Sequence, residues 1–153
     1  MLTIMPSLIL TTDERIRAVE AIIDYEFVDK THLEKALAAA GATTAPEGNK
    51  PGALLGDGLL RLVIDKDSLE LGYSTGQMTK RHDTLGSNGN LSQIGHQLGL
   101  RPYIRLNPSA QGFLPDKLLA TTVEAIIYAV FLDSNEDIPR TSQLIVHMGI
   151  LEH

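Results

Sequence analysis

The sequence predicts an all-α domain. Apolar residues recur at helical spacing along almost the whole chain, no stretch alternates with period two, and turn formers or capping residues separate the periodic runs. A length of 153 residues suits a single domain, assigned to residues 1–150. At this size roughly 68–70% of the unfolded surface becomes buried, enough for a core without staples. Seven or eight helices are expected.

Taken in order, Asp13 and Glu14 supply carboxylates to the start of a helix whose inner face carries Ile16, Val19, Ile22 and Ile23. A second helix is predicted over about 31–40, with Leu33, Ala36 and Leu37 inward and Gly41 as its stop. Residues 41–52 are rich in turn formers and read as the linker. A long apolar helix follows over about 53–71, with Asp65-Lys66-Asp67 as a solvated turn near its far end. Shorter helices are expected at 77–86 and 88–98, the second entered through Ser87 and Asn88. Residues 101–112, with two prolines, read as loop. Pro115-Asp116 then opens a helix to about 132, because proline is tolerated in a first turn, and a last helix occupies about 136–149. The apolar segment 1–10 lacks a basic lead and is read as packing on the domain. Residues 151–153, Leu-Glu-His, read as an expression-tag remnant.

Composition excludes several classes of function. Thirteen Lys plus Arg against nineteen Asp plus Glu leave a net charge of −6, unsuited to non-specific nucleic-acid binding, which needs cations to displace phosphate counterions. With no cysteine there are neither disulfides nor thiolate zinc sites. No apolar run approaches the ~18–20 residues of a membrane span, so no membrane partner is expected and the location is read as intracellular. There is no Walker A loop and no GxGxxG after a strand, and the histidines lack metal-ligand spacing.

Two acids stand out because their neighbours are apolar: Asp57, within Ala53-Leu54-Leu55-Gly56-Asp57-Gly58-Leu59-Leu60, and Glu124, within Thr121-Thr122-Val123-Glu124-Ala125-Ile126-Ile127. Carboxylates in such surroundings are seldom buried without a partner. Helical spacing puts Lys117, Thr121, Glu124 and Tyr128 on one stripe and Leu119, Val123, Ile126, Ile127 and Val130 on another. Ala53, Asp57 and Arg61 also share a face. From spacing alone, both acids read most simply as solvated or salt-bridged to Arg61 or Lys117.

The segment around Gly56-Asp57 resembles the signature helix of ribonuclease III domains, ERLEFLGDxxL. The resemblance continues in order along the chain. Phe27-Val28-Asp29-Lys30 with Leu33 to Leu37 is similar to the family's entry. Gly76 to Arg81 with Ser87, Asn88 and Leu91 is similar to its middle helices, and Leu98-Gly99-Leu100 with Tyr103 to Leu106 to the segment that follows. Val123-Glu124-Ala125-Ile126 with Ala129 to Asp133 is similar to its DxxEAxxGAxxLD stretch. The Asn49-Lys50-Pro51 lead-in is closer to divergent fungal members than to bacterial ones.

The resemblance implies a homodimeric, Mg²⁺-dependent endonuclease for double-stranded RNA, with clustered carboxylates holding hard cations. Carried over residue by residue, Asp57 and Glu124 are the retained family acids and the expected catalytic and metal-binding residues. The other two principal acids fall on Ala53 and Thr121, and two further family carboxylates fall on Lys50 and Thr75. A neutral hydroxyl or a methyl group is a poor substitute for a charged ligand. A weak Mg²⁺ site at most is expected, with Arg61 or Lys117 compensating charge. Three functions stay open: a non-cleaving dimer that binds double-stranded RNA or a protein, a residual endonuclease borrowing Asp65, Asp67 or Asp83 as a third ligand, and an unrelated all-α binding protein. In the family an aromatic at the position of Leu54 enters the partner subunit, so the smaller Leu implies a retained but differently packed interface.

Overall fold

A computed structural model of the chain describes residues 9–152. Among the described residues there are seven α-helices: α1 (Thr12–Ile23), α2 (Lys30–Ala36), α3 (Lys50–Glu70), α4 (Thr75–Leu85), α5 (Asn88–Leu98), α6 (Asp116–Asp133) and α7 (Ile138–His147). Two short 3-10 turns, Arg101–Tyr103 and Pro108–Ala110, lie between α5 and α6. Local chemistry sets the helix ends. Thr11 with Glu14 and Ser74 with Gln77 form capping boxes at α1 and α4, while Asp29, Ser87 and Asp137 cap α2, α5 and α7. None of the helices among the described residues is long and apolar enough to cross a membrane.

The central element is α6. Leu119, Val123, Ile126, Ile127 and Val130, the stripe expected to face inward, are all fully buried, and α2, α3, α5 and α7 pack around them. Two glycines set how closely neighbours approach. A Cβ on Gly56 of α3 would lie 1.9 Å from the Glu124 carbonyl oxygen, and one on Gly95 of α5 would lie 2.5 Å from Leu119 Cγ. Helix α3 therefore touches α6 backbone to backbone.

Several boundaries differ from those the sequence predicts, each for a physical reason. Helix α2 ends at Ala36 rather than near residue 40. The next residues pair instead with Arg105, whose N–H donates to the Leu37 carbonyl at 2.7 Å and whose carbonyl accepts from Ala39 at 2.9 Å. Helix α3 begins at Lys50, three residues earlier than expected, because Pro51 in the first turn has no N–H to leave unsatisfied. The Asp65-Lys66-Asp67 run is not a solvated turn: it lies within α3, where Arg81 Nη1 donates to Asp67 Oδ2 at 2.8 Å and His82 Nδ1 lies 2.8 Å from Asp65 Oδ1. Helix α7 starts at Ile138, since Asn135 and Glu136 both adopt φ of 60°. Leu151, grouped by sequence with the terminal remnant, is only 2% exposed and packs into the core. Residues 1–8 and 153 of the two terminal segments lie outside the described residues.

Long-range polar contacts hold the connections. Asp133 at the end of α6 accepts from the Tyr25 hydroxyl and from the backbone N–H groups of Val28 and Asp29, at 2.7, 2.9 and 2.8 Å. These bonds and the neighbouring charges keep the Asp133 carboxyl below its ordinary pKa in spite of partial burial.

The contact at Gly56 gives a direct test. Gly56→Ala should lower the unfolding free energy by about 1–3 kcal/mol or more, the usual effect of overpacking a close contact. Gly76→Ala, where an added methyl meets nothing within 4 Å, should leave stability unchanged or raise it by up to about 1 kcal/mol. Urea denaturation of the two variants beside the parent chain distinguishes these outcomes.

Candidate functional site

The crossing of α3 over α6 brings together the two acids singled out by sequence. Gly56 lies against the backbone of Glu124, and the next residue, Asp57, places its carboxyl beside that of Glu124. Partial burial, the Asp57 charge and a hydrogen bond between the two carboxyls together push Glu124 up to about 8. At neutral pH, then, Glu124 retains its proton and shares a hydrogen bond with Asp57. Arg61, one turn along α3, places Nε 3.7 Å from Asp57 Oδ2 and offsets part of the Asp57 charge.

The remaining candidates lie elsewhere or lack donors. Lys117 is exposed and makes no ion pair among the described residues, so Arg61 is the basic group at the pair. Ala53 is buried in the core, and the Thr121 hydroxyl donates to the Lys117 carbonyl of its own helix at 2.8 Å. Asp65, Asp67 and Asp83 do not reach this site. The first two hold His82 and Arg81 as described, and Asp83 Oδ1 lies 3.3 Å from His82 Nε2. The idea that one of them is recruited as a third ligand is thereby corrected. Among the described residues, no group of three or more His, Asp or Glu converges in a way that could hold a metal ion.

Asn49 was missed by sequence reasoning. Its place just before α3 suggests an ordinary N-cap, yet its side chain makes no cap hydrogen bond. Instead Nδ2 donates to the Ala36 carbonyl at 3.0 Å and to Thr122 Oγ1 at 3.1 Å, tying α2, α3 and α6 together. Its Oδ1 is buried with no hydrogen-bond partner among the described residues. Only the polar type of the residue, beside a predicted helix start, hinted at a special role.

The ribonuclease III domain profile matches residues 53–135, over half of the chain. This chain belongs to the ribonuclease III domain family. It is 35% identical over 124 residues to the ribonuclease 3 of Vibrio vulnificus, covering 77% of this chain and 54% of that protein. It is 36% identical over 130 residues to that of Pseudoalteromonas translucida, covering 81% of this chain and 56% of that one. The chain thus spans about half the length of the relatives it matches. These relatives are bacterial and give the fungal resemblance no support. The nuclease domain of ribonuclease III from Campylobacter jejuni superposes with a TM-score of 0.79 at 23% identity, covering 87% of this chain and 94% of that domain. Its fold is the same.

The shared proton gives stability a definite pH dependence. The Glu124 carboxyl titrates near 4.5 when unfolded and at about 8 when folded, so between those values the folded state holds a proton that the unfolded state has released. Its contribution is fully present below pH 4.5 and is lost as pH rises through about 8. Glu124→Gln should flatten this slope and raise stability at pH 8 by about 1–2 kcal/mol, a figure reduced for the solvent screening of a half-buried group. Urea midpoints from pH 4.5 to 8.5 for both proteins provide the measurement.

Proposed function

We propose that this domain is a dimeric ribonuclease III fold that acts as an interaction module, engaging double-stranded RNA or a protein without cutting RNA. The Asp57–Glu124 pair carries this reading. Two cations side by side need several charged oxygens, whereas this pair offers two carboxyls and has Arg61 3.7 Å from Asp57. Ala53 and Thr121 add no carboxylate. These residues do not suit the two-cation arrangement that the family resemblance implies, and no hydrolytic step is assigned to them.

A second reading, a residual Mg²⁺-dependent endonuclease for double-stranded RNA, is favoured by the adjacency of Asp57 and Glu124, since one weakly held cation would displace the shared proton. Cleavage of long double-stranded RNA in Mg²⁺ discriminates between the two. No cutting dependent on Asp57 is expected, because losing even one electrostatic contribution to such a transition state costs about 10²–10³ in rate. The Ala53→Glu/Thr121→Asp variant should gain Mg²⁺ binding measurable by calorimetry. Robust cutting by the parent chain that is abolished in Asp57→Ala would establish the endonuclease instead. Retarded migration of uncut duplex RNA, measured in parallel, tells an RNA-binding module from a protein-binding one.

Dimerisation is supported by the outer face of α3. Leu54, Leu55, Leu62 and Leu69 are 75, 52, 52 and 65% exposed, and the last three repeat every seven residues along one stripe. The comparison structure from Campylobacter jejuni is described as having a region involved in dimer formation. Sedimentation at micromolar concentration should give a dimer for the parent chain and a folded monomer for Leu62→Glu.

A further inference from the structure

A cavity of about 310 Å³ opens between the segment that follows α2, the 3-10 turn Pro108–Ala110 and the starts of α3 and α6. Its walls are mainly apolar and include Ala39, Ala40, Leu106, Ala110, Phe113 and Leu118. We propose that this cavity is the docking site of the chain's own N-terminal segment, residues 1–8, laid across it as a strap. The proposal concerns packing within one chain and does not rest on the function argued above.

Size and chemistry restrict what fills the cavity. An α-helix with its side chains is about 10–12 Å across, too wide for a space of this volume. An extended segment fits, because alternate side chains point to one side and enter while the backbone stays at the mouth. Leu106 and Leu118 are partly buried and pack on the core, and Phe113 stands exposed beside them. An apolar concavity of this kind gains most from an apolar occupant.

Residues 1–8 have the matching composition. Met1, Leu2, Ile4, Met5 and Leu8 are large and apolar, and no Asp, Glu, Lys or Arg occurs before Asp13. Pro6 biases Met5 toward extended backbone, the form that the cavity accepts. The apolar run continues into Ile9, which is 92% exposed where the described residues begin. Apolar surface left in water forgoes the burial that drives folding.

The placement of α1 brings the cavity within reach. Helix α1 packs against the 3-10 turn Arg101–Tyr103, and Arg15, one turn into α1, lies near Arg105. Burial and then the Arg105 charge hold the Arg15 guanidinium below its ordinary pKa. The backbone of Arg105 pairs in turn with Leu37 and Ala39, and Ala39 and Leu106 are cavity walls. The start of α1 and the cavity are therefore joined by two successive contacts. Eight extended residues span at most about 26–29 Å, ample for that path. A segment without Lys or Arg crosses the two arginines free of side-chain repulsion, and its carbonyls are acceptors for guanidinium groups. Val28, another exposed apolar side chain, follows the opposite end of α1, about 18 Å along the helix. Thr121, on the cavity wall, stands one turn before Glu124 on α6, so a docked strap borders the carboxyl pair.

The chain has neither tryptophan nor cysteine, so both kinds of probe can be placed without background. Phe113→Trp puts a lone fluorophore at the cavity. In the full chain its emission should be blue-shifted, and deletion of residues 1–8 should raise its quenching by acrylamide about two- to threefold as the ring opens to water. Ile4→Glu/Leu8→Glu should act like the deletion, since a carboxylate is excluded from an apolar cavity. A peptide of residues 1–10 added to the shortened chain should restore protection at about millimolar concentration, the effective concentration that a short tether supplies. Under mild oxidation Ile4→Cys/Ala110→Cys should form an intramolecular disulfide, read by mass spectrometry, while Ile4→Cys/Val28→Cys stays reduced. Circular dichroism checks that each variant is folded, and the disulfide measurement stands by itself if Phe113→Trp does not fold. Equal quenching with and without residues 1–8 overturns the proposal, as does faster linkage to Val28 than to Ala110. Protection that grows with chain concentration overturns it as well, assigning the cavity to the segment of a second copy.

Discussion

Where α3 passes over α6, nothing larger than the hydrogen of Gly56 separates the two backbones, and much of the molecule is arranged around that contact. A side chain of any size would push the helices apart, and the buried stripe of α6 would lose its closest neighbour. The same approach puts Asp57 and Glu124 at one place, since each is the first polar position beside the contact. Their proximity follows from backbone packing rather than from attraction between the side chains. Two carboxyls so placed share a proton because both cannot easily ionise at close range with one of them half-buried. It also determines which side of α3 is left over: with one face committed to α6, the leucines of the opposite face remain outside the core.

Side chains that reach across the fold join the helices where backbone pairing cannot. Asp133 gathers three donors from the stretch between α1 and α2, and Lys30 Nζ meets Glu20 Oε2 at 2.7 Å nearby. Asn49 does comparable work at the start of α3, bonding a carbonyl of α2 and a hydroxyl of α6. The polar groups of these loops are thus largely satisfied within the fold, as buried backbone requires.

Helix faces were legible in the sequence, and so was the meeting of the two acids, because both follow from periodicity and from the ordered family motifs. The inward stripe of α6 is buried along its whole length, as its spacing required. What could not be read came from contacts between distant parts of the chain. The residues after Ala36 have ample helical propensity, but Arg105 offers them hydrogen bonds outside a helix, and tertiary pairing prevails over propensity. The Asp65–Asp67 run looked solvated because its partners, Arg81 and His82, lie on another helix. Glu124's retained proton depends on burial and on the Asp57 charge at once, and no linear motif encodes that combination.

Helix α4 has no buried residue of its own. Leu85 at its end is partly buried against the core, while along its length Arg81 binds Asp67 and Ser68, His82 meets Asp65, and the Arg81 guanidinium sits 5.5 Å from the Tyr73 ring centroid. Exposed ion pairs weaken as ionic strength rises, whereas sheltered ones are screened far less, and the Arg81 and Asp67 side chains are only 21 and 11% exposed. The domain is therefore built of two materials, a close-packed apolar interior and an outrigger held to it by sheltered polar contacts. Fluctuations that free α4 leave the core intact, so its amides exchange with solvent through local opening long before the chain as a whole unfolds.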